Sequence, residues 1–425
     1  MKNRIKQYLL AASMCVGLTA CSDFFEPIPG VQFGLDETFA SKQRTEEYLN
    51  NVYSYVREVT DAIHPNTYGG IFTEASLDGA NRWNKTYAEW TNGSFNSASA
   101  QASEYFSKYY QAIAKASTFI QNVDKCTEAA ASTRGKWKSE ARALRAYYYF
   151  ELLRLYGPIP LIGEDPIPLD ASLEELIKER NSVDECVNFI ATELQSAIDS
   201  GDLLQRAGKA NLGRMDVTTC MALKAKLYLY WASPLFNGNT DQASVKNKDG
   251  KQLFPQTEDN SKWAQARDAY ERFMTFAAGQ GYKLTEVYTN GKLDPYASCR
   301  AAGEFFTTTW EAVDELIFVK LRDLYDYTYW VCPKFTDFQD TDVTGGGGYY
   351  TTQETVDLFF TKDGLTIEED TGYDKFEGIP GANNFTSGRY YDPNNPSRLY
   401  FDADKSKVLK QWKDREPRFY VNITY

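Results

Sequence analysis

Residues 137–158 read WKSEARALRAYYYFELLRLYGP. Trp137, Ala141, Leu144, Tyr148, Leu152 and Leu155 recur every three or four positions, the spacing of one face of an α-helix. Gly157-Pro158 closes the run, because glycine accepts the left-handed turn at a helix end and proline cannot continue a helix. The same period continues on both sides. Upstream it links Tyr48, Leu49, Val52, Tyr53, Val56 and Val59, then Tyr105, Phe106, Tyr109, Tyr110, Ile113, Ile120 and Val123. Downstream, Ser182-Val183-Asp184-Glu185 is a capping box that opens a helix through Val187, Ile190, Leu194 and Ile198 to Gly201. Asp216 is a natural N-cap for Val217, Cys220, Met221, Leu227, Tyr228 and Trp231, which stop at Pro234. A sixth helix carries Trp263, Ala266, Tyr270 and Phe273 and stops near Gly279.

Successive amphipathic helices of this kind predict an all-α fold of helical hairpins packed side by side. The spacing of Trp263, Ala266 and Tyr270 resembles a tetratricopeptide helix, although the strict repeat of about 34 residues is absent. Long insertions separate the helices at 60–101, 156–180 and 234–260. Beyond about residue 281 glycine, asparagine, aspartate and tyrosine dominate, Gly345 to Gly348 form a flexible run, and Leu316 to Leu321 reads as a strand. That region is expected to be loop-rich and laid over the helical scaffold. Loops on a rigid frame are where binding residues concentrate.

The amino terminus says where the chain is sent. Lys2, Arg4 and Lys6 precede an apolar run from Tyr8 to Leu18, a secretory signal too short for the roughly 20 apolar residues that span a bilayer. Leu18-Thr19-Ala20-Cys21 resembles a bacterial lipobox, in which the cysteine thiol receives a diacylglycerol and becomes the first residue. Each buried methylene adds about 0.8 kcal/mol of membrane affinity, and two or more chains anchor stably. The plainer alternative is a signal peptide with an incidental cysteine. Ser22 to Gly34, with Pro27, Pro29 and Gly30, reads as an extended tether. The expected organisation is a signal at 1–20, a lipid-anchored tether at 21–37, a helical region at 38–280 and a loop-rich region at 281–425.

Composition narrows the function. Removing Lys2, Arg4 and Lys6 with the signal leaves 43 basic against 58 acidic residues, a balance of −15 that repels phosphate backbones and argues against nucleic acid. Aromatic residues make up 15% of the chain, with 30 Tyr and 8 Trp, whose flat faces and polar edges suit sugar rings. Many of them simply fill a helical core. Cys126, Cys186, Cys220, Cys299 and Cys332 are widely spaced, form no CxxC pair and indicate neither a disulfide framework nor a thiolate metal site. The first three fall in helical patterns and read as buried small hydrophobes. One histidine, His64, rules out a multi-histidine zinc site, and no serine has a nucleophile elbow around it. No cofactor motif is present.

Several motifs together resemble one family. Glu140-Ala141-Arg142-Ala143-Leu144-Arg145-Ala146-Tyr147-Tyr148-Tyr149-Phe150, followed by Leu155-Tyr156-Gly157-Pro158-Ile159-Pro160-Leu161, is similar to the hallmark of the SusD-like (RagB/SusD) lipoproteins. So are Gly213-Arg214 leading into Ala222-Leu223-Lys224-Ala225-Lys226-Leu227-Tyr228-Leu229-Tyr230, and Arg415-Glu416-Pro417-Arg418-Phe419-Tyr420. With the lipobox, the match runs in family order over essentially the whole chain. The resemblance implies a helical protein with tetratricopeptide-like pairs on one side and an irregular region on the other. It implies a lipid anchor on the outer face of the outer membrane, and a partner in a TonB-dependent, SusC-like transporter. It also implies that oligosaccharide is bound and handed on without cleavage. In the family more helical sequence follows the Arg415–Tyr420 element. The chain, ending at Tyr425, is therefore expected to be truncated and less than fully stable alone, since an unpaired helix face exposes apolar surface at about 25 cal/mol per Å².

Ligand candidates follow from chemistry. Asp78, Asn81, Arg82, Trp83, Asn84, Tyr87, Trp90 and Asn92 share one insertion. Its rings can take the C–H face of a sugar, while its amide, guanidinium and carboxylate groups take hydroxyl pairs. A ring shielding roughly 80 Å² gains about 2 kcal/mol, so two or three rings less ordering costs give millimolar to micromolar binding. The alternative is that Trp83 and Trp90 fill satellite cores. A second cluster is Tyr325, Tyr327, Tyr329 and Trp330, with Tyr296 and Trp310 upstream. The three alternating tyrosines would share one face of a strand, which is also how a tyrosine-rich strand packs on a scaffold. The resemblance implies ligand loops in both regions. Asp363-Gly364 with Glu368, Glu369 and Asp370 could attract calcium, but the spacing fits no EF-hand and a solvated acidic loop is the simpler reading.

Two other functions fit the sequence. A secreted glycoside hydrolase needs two carboxylates roughly 5 to 10 Å apart across a cleft, and no motif isolates such a pair. A helical scaffold could instead hold peptide in its groove, and relatives of the resembled family handle peptides.

Overall fold

A computed structural model describes residues 33–56, 80–81, 93–163, 165, 167, 171–304, 314–320, 349–373, 385–387 and 407–423. It is mostly helical. Along the chain the described helices are α1 (Leu35–Ala40), α2 (Lys42–Ser54), α3 (Ala100–Asn122), α4 (Ala131–Tyr156), α5 (Leu173–Leu176), α6 (Val183–Asp199), α7 (Val217–Ala232), α8 (Ser261–Gly279), α9 (Pro295–Glu304), α10 (Gln353–Asp357) and α11 (Pro417–Asn422). Short strands pair antiparallel: β1 (Ala80–Asn81) with β4 (Tyr349–Tyr350), β2 (Tyr288–Thr289) with β3 (Lys292–Leu293), and β5 (Phe385–Ser387) with β6 (Lys407–Leu409). Of the strand read from Leu316 to Leu321, the described residues 316–320 form none; residues 314–320 are turn, bend and irregular backbone.

The helices start and stop for local reasons. Ser182 Oγ accepts from Glu185 N at 3.3 Å, while the Glu185 carboxylate accepts from Ser182 N at 2.7 Å. Asp216 Oδ1 accepts from Thr219 N at 2.7 Å and caps α7. Gly157 takes φ +70° just past α4, a conformation that costs a side-chain-bearing residue.

Packing is sequential. α3 packs on α4, α4 on α6, α6 on α7 and α7 on α8, while α2 lies against α3 and α4. The expectation of a one-sided α4 is therefore corrected: from Ala143 to Leu153 every residue is buried. Successive residues of a helix turn by about 100°, so four adjacent aromatic rings address four neighbours. Tyr147 meets Phe318 at 6.1 Å, Tyr148 meets Tyr109 of α3 at 6.0 Å, Tyr149 meets Phe189 of α6 at 5.2 Å, and Phe150 meets Tyr230 of α7 at 5.6 Å. Arg145, fully buried, donates to Glu193 of α6 at 2.8 Å and to Ser117 of α3 at 3.0 Å. Arg142 reaches the other Glu193 oxygen at 3.0 Å. A buried charge survives only with such partners.

The sixth helix also differs from its sequence reading. Its inward stripe is Lys262, Ala266, Ala269, Phe273 and Ala277, and Trp263 is 42% exposed. The Lys262 ammonium lies 4.4 Å from the Trp231 ring and 3.0 Å from Asp184, which also accepts from Trp231 Nε1 at 2.6 Å. Charge pairing thus overrides hydrophobicity at that turn. Cys126, Cys186 and Cys220 are free and buried, and Cys299 is half-buried.

The region after 349 is held by Arg415. Its guanidinium is buried and donates to the carbonyls of Val356 at 2.6 Å and Phe359 at 2.7 Å and to the Tyr373 hydroxyl at 2.7 Å. Pro417 then opens α11, where its missing N–H costs nothing, and α11 packs on α9.

Candidate functional site

Of the nominated ligand residues, Asp78, Arg82, Trp83, Asn84, Tyr87, Trp90, Asn92, Tyr327 and Trp330 lie outside the described residues, as do Trp310, Tyr325 and Tyr329. Asn81 is described through its backbone: it sits in β1 and pairs with Tyr349, as Ala80 pairs with Tyr350. Tyr296 is half-buried near the start of α9. Two of the acidic residues weighed for calcium, Glu369 and Asp370, serve as turn caps. Glu369 accepts from Thr366 N and Oγ1, and Asp370 accepts from Gly372 N. Among the described residues no group of three or more potential metal ligands converges.

A cleft of about 260 Å³ lies between the end of α2, the Gly213-Arg214 turn and Phe318–Lys320. Arg214 forms its floor. One arm of the guanidinium lies 3.1 Å from Glu140 and the other 3.1 Å from Glu46. Tyr53 lies under Arg214, with its ring centre 5.1 Å away. Its hydroxyl donates to Glu140 at 2.8 Å and accepts from Met215 N at 2.9 Å. Burial raises the Glu140 carboxyl above its ordinary range, against the pull of Arg214 and the Tyr53 hydrogen bond. Burial, reinforced by the Glu140 charge, holds the Tyr53 phenol neutral.

The wall is tight. Gly213 has φ +81°, and a Cβ there would come within 2.9 Å of the Val319 carbonyl oxygen. Lys320 donates to the carbonyls of Ser54 at 2.9 Å and Val56 at 2.6 Å. The polar groups lining this cleft are thus largely committed to one another. Its chemistry is that of a joint between α2, α4 and residues 314–320.

Sequence reasoning noted Gly213-Arg214 as a motif but had no reason for it; the close approach of Val319 and the two carboxylates supply one. It missed Lys320, Tyr53 and Glu46 as a set, since nothing along the chain announces contacts between residues this far apart.

Two family models match the chain. One, described as starch-binding and associating with the outer membrane, matches residues 32–229. The other, the SusD family, matches residues 315–425. The chain belongs to the SusD-like family. A SusD-like protein of Bacteroides ovatus is 27% identical to it over 175 residues, 40% of this chain and 30% of the relative. The solved structure of BT4246 matches with a TM-score of 0.71 at 25% identity, over 90% of this chain and 64% of that one. A SusD-like protein (BF3747) from Bacteroides fragilis shares the fold, with a TM-score of 0.63 at 19% identity over 92% and 62%. This SusD-like chain therefore spans less than two thirds of the length of each of these relatives. Arg145, Arg214 and Arg415, in the motifs that carried the resemblance, each tie separate segments together, Arg145 and Arg415 from buried positions and Arg214 from a half-buried one.

Proposed function

We propose that this SusD-like chain is a cell-surface glycan-binding lipoprotein, anchored through lipid on Cys21, that captures oligosaccharide and delivers it to a SusC-like, TonB-dependent transporter without cleaving it. Family membership supports the carbohydrate and outer-membrane parts of this reading, since one matching family model carries both in its description. No described helix is long and apolar enough to cross a membrane. The observation that carries the reading within the molecule is the β1–β4 pair. It joins the insertion bearing Asp78, Asn81, Arg82, Trp83, Asn84, Tyr87 and Trp90 to the segment that follows Tyr327 and Trp330. Tyr296 is kept as a further candidate contact.

The reading without hydrolysis is supported by the state of the carboxylates beside the cleft. Glu46 and Glu140, behind the Arg214 that lines it, are both held by that guanidinium, and Glu140 is 1% exposed. A general acid must reach the glycosidic oxygen it protonates.

The test is affinity electrophoresis over a broad polysaccharide panel, with wild type beside a Trp83→Ala/Trp90→Ala variant. Wild type should be retarded on at least one glycan and release no new reducing ends. The variant should lose retardation with an almost unchanged Tm. Unaltered retardation would move the site away from these rings, and a collapsed Tm would make them core.

A further inference from the structure

The cleft at the end of α2 is built from parts that hold one another in place. The Lys320 ammonium donates to the Ser54 carbonyl at 2.9 Å and the Val56 carbonyl at 2.6 Å. Val319 lies so close to Gly213 that a Cβ there would come within 2.9 Å of its carbonyl oxygen. Phe318 packs on Tyr147 of the enclosed α4, with ring centres 6.1 Å apart. The walls are thus fixed before anything enters, which lowers the ordering cost of a ligand.

The lining sets what can enter. Its charges are already met. Arg214 has Glu140 and Glu46, each at 3.1 Å, and Lys320 has carbonyls at the negative end of the α2 dipole. An anion gains little from such a cleft. Hydrogen-bond donors remain, however. One N–H on each terminal nitrogen of Arg214 goes to a carboxylate, and the others meet no acceptor among the described residues. Asn50, exposed on α2, adds a side-chain amide that has no partner among the described residues. The Tyr53 hydroxyl is spent on Glu140 and Met215 N, which leaves its ring as carbon surface beside Phe318, Val56 and Leu212. At roughly 30 Å³ per water, the 260 Å³ of the cleft hold about nine waters, or a ligand of about a dozen non-hydrogen atoms.

We infer that this cleft takes a single neutral sugar ring, with its oxygens on Arg214 and Asn50 and its C–H face against the Phe318 and Tyr53 rings. Apolar walls, a few unspent donors and compensated charge match a small polyol better than an anion or a hydrocarbon. None of the ligand residues nominated from the sequence takes part, so the inference goes beyond the glycan reading and stands without it. A ligand of this size binds in the millimolar range.

The experiment is saturation-transfer NMR of the full chain with methyl glucoside, galactoside, mannoside and xyloside, and with methyl glucuronide as the charged comparator. Wild type should transfer saturation to at least one neutral pyranoside, and less to the glucuronide. Asn50→Trp, which fills the cleft from an exposed helix position, should weaken binding about tenfold or more, and Asn50→Leu, which removes the amide, about fivefold. Both should keep the wild-type Tm. Should the Trp variant not fold, Asn50→Leu carries the test. No transfer to any neutral pyranoside, or equal binding by wild type and the Asn50 variants, would overturn the inference. So would tighter binding of the glucuronide, which would mean that the cleft keeps net positive charge. Binding lost in Trp83→Ala/Trp90→Ala but kept in Asn50→Trp would assign the sugar to those rings, overturning the inference and leaving the glycan reading intact. A wild type that binds a pyranoside, loses it in Asn50→Trp and is retarded on no polysaccharide would uphold the cleft and sink the glycan reading.

Discussion

Single residues in this chain matter most where charge is buried. Arg145, Arg214 and Arg415 each gather groups from separate segments, and each lies in a motif that reads from sequence as a helix or turn. Arg145 lies in a helix that the period predicts, but neither its burial nor its partner Glu193, 48 positions away, could be read from that period. Glu140 carries a pH consequence. Its folded carboxyl titrates above the ordinary value of 4.5 because burial disfavours its charge. The folded state then holds the proton more tightly than the unfolded state. The stability this group contributes is full below 4.5 and is lost as pH rises through the raised folded value. Denaturant midpoints from pH 4 to 8 should therefore fall for wild type relative to Glu140→Gln as pH increases. A wild type that gains on Glu140→Gln over that range would reverse the assignment.

At the scale of elements, caps and closures were legible because their determinants are neighbours in sequence. Ser182 and Glu185 form the reciprocal box that their spacing predicts, and Asp216 caps α7. Their environments differ, and only the structure shows it. Ser182 is half-exposed, whereas Asp216 is fully buried and its second oxygen also accepts from Ala207 N at 2.7 Å. Ser182→Ala should cost about 0.5–1 kcal/mol and Asp216→Ala about 2 kcal/mol or more, measured by urea unfolding. Equal losses would mean that the Ala207 bond contributes nothing beyond the cap. The sixth helix keeps Ala266 and Phe273 of its expected inward stripe, but not Trp263: that residue is exposed, and Lys262 turns in toward Asp184 and Trp231 instead.

For the whole molecule, α4 is the axis on which the rest is assembled. It is flanked by α2, α3, α6 and α7, and its Tyr147–Phe150 rings divide their contacts among three of those helices and residue 318. Amides buried in the best-packed element exchange only through global opening. Native-state hydrogen exchange should therefore find the slowest amides within 143–153, with an opening free energy equal to that from denaturant unfolding. Slower exchange in α8, which closes the described series of packed helices, would contradict the central place of α4.

The sequence by itself determined the helices, their caps, the Gly157-Pro158 stop and the family, because each depends on residues within a few turns of one another. The nominated ligand positions were chosen by chemistry, and all but Asn81 and Tyr296 fall outside the described residues. Tertiary structure alone decided that α4 is enclosed on all sides, that Glu193 and Glu140 hold their arginines, and that Lys320 meets the end of α2. Those contacts join positions tens to hundreds of residues apart. Periodicity fixes which face of a helix is apolar, but not what comes to cover it.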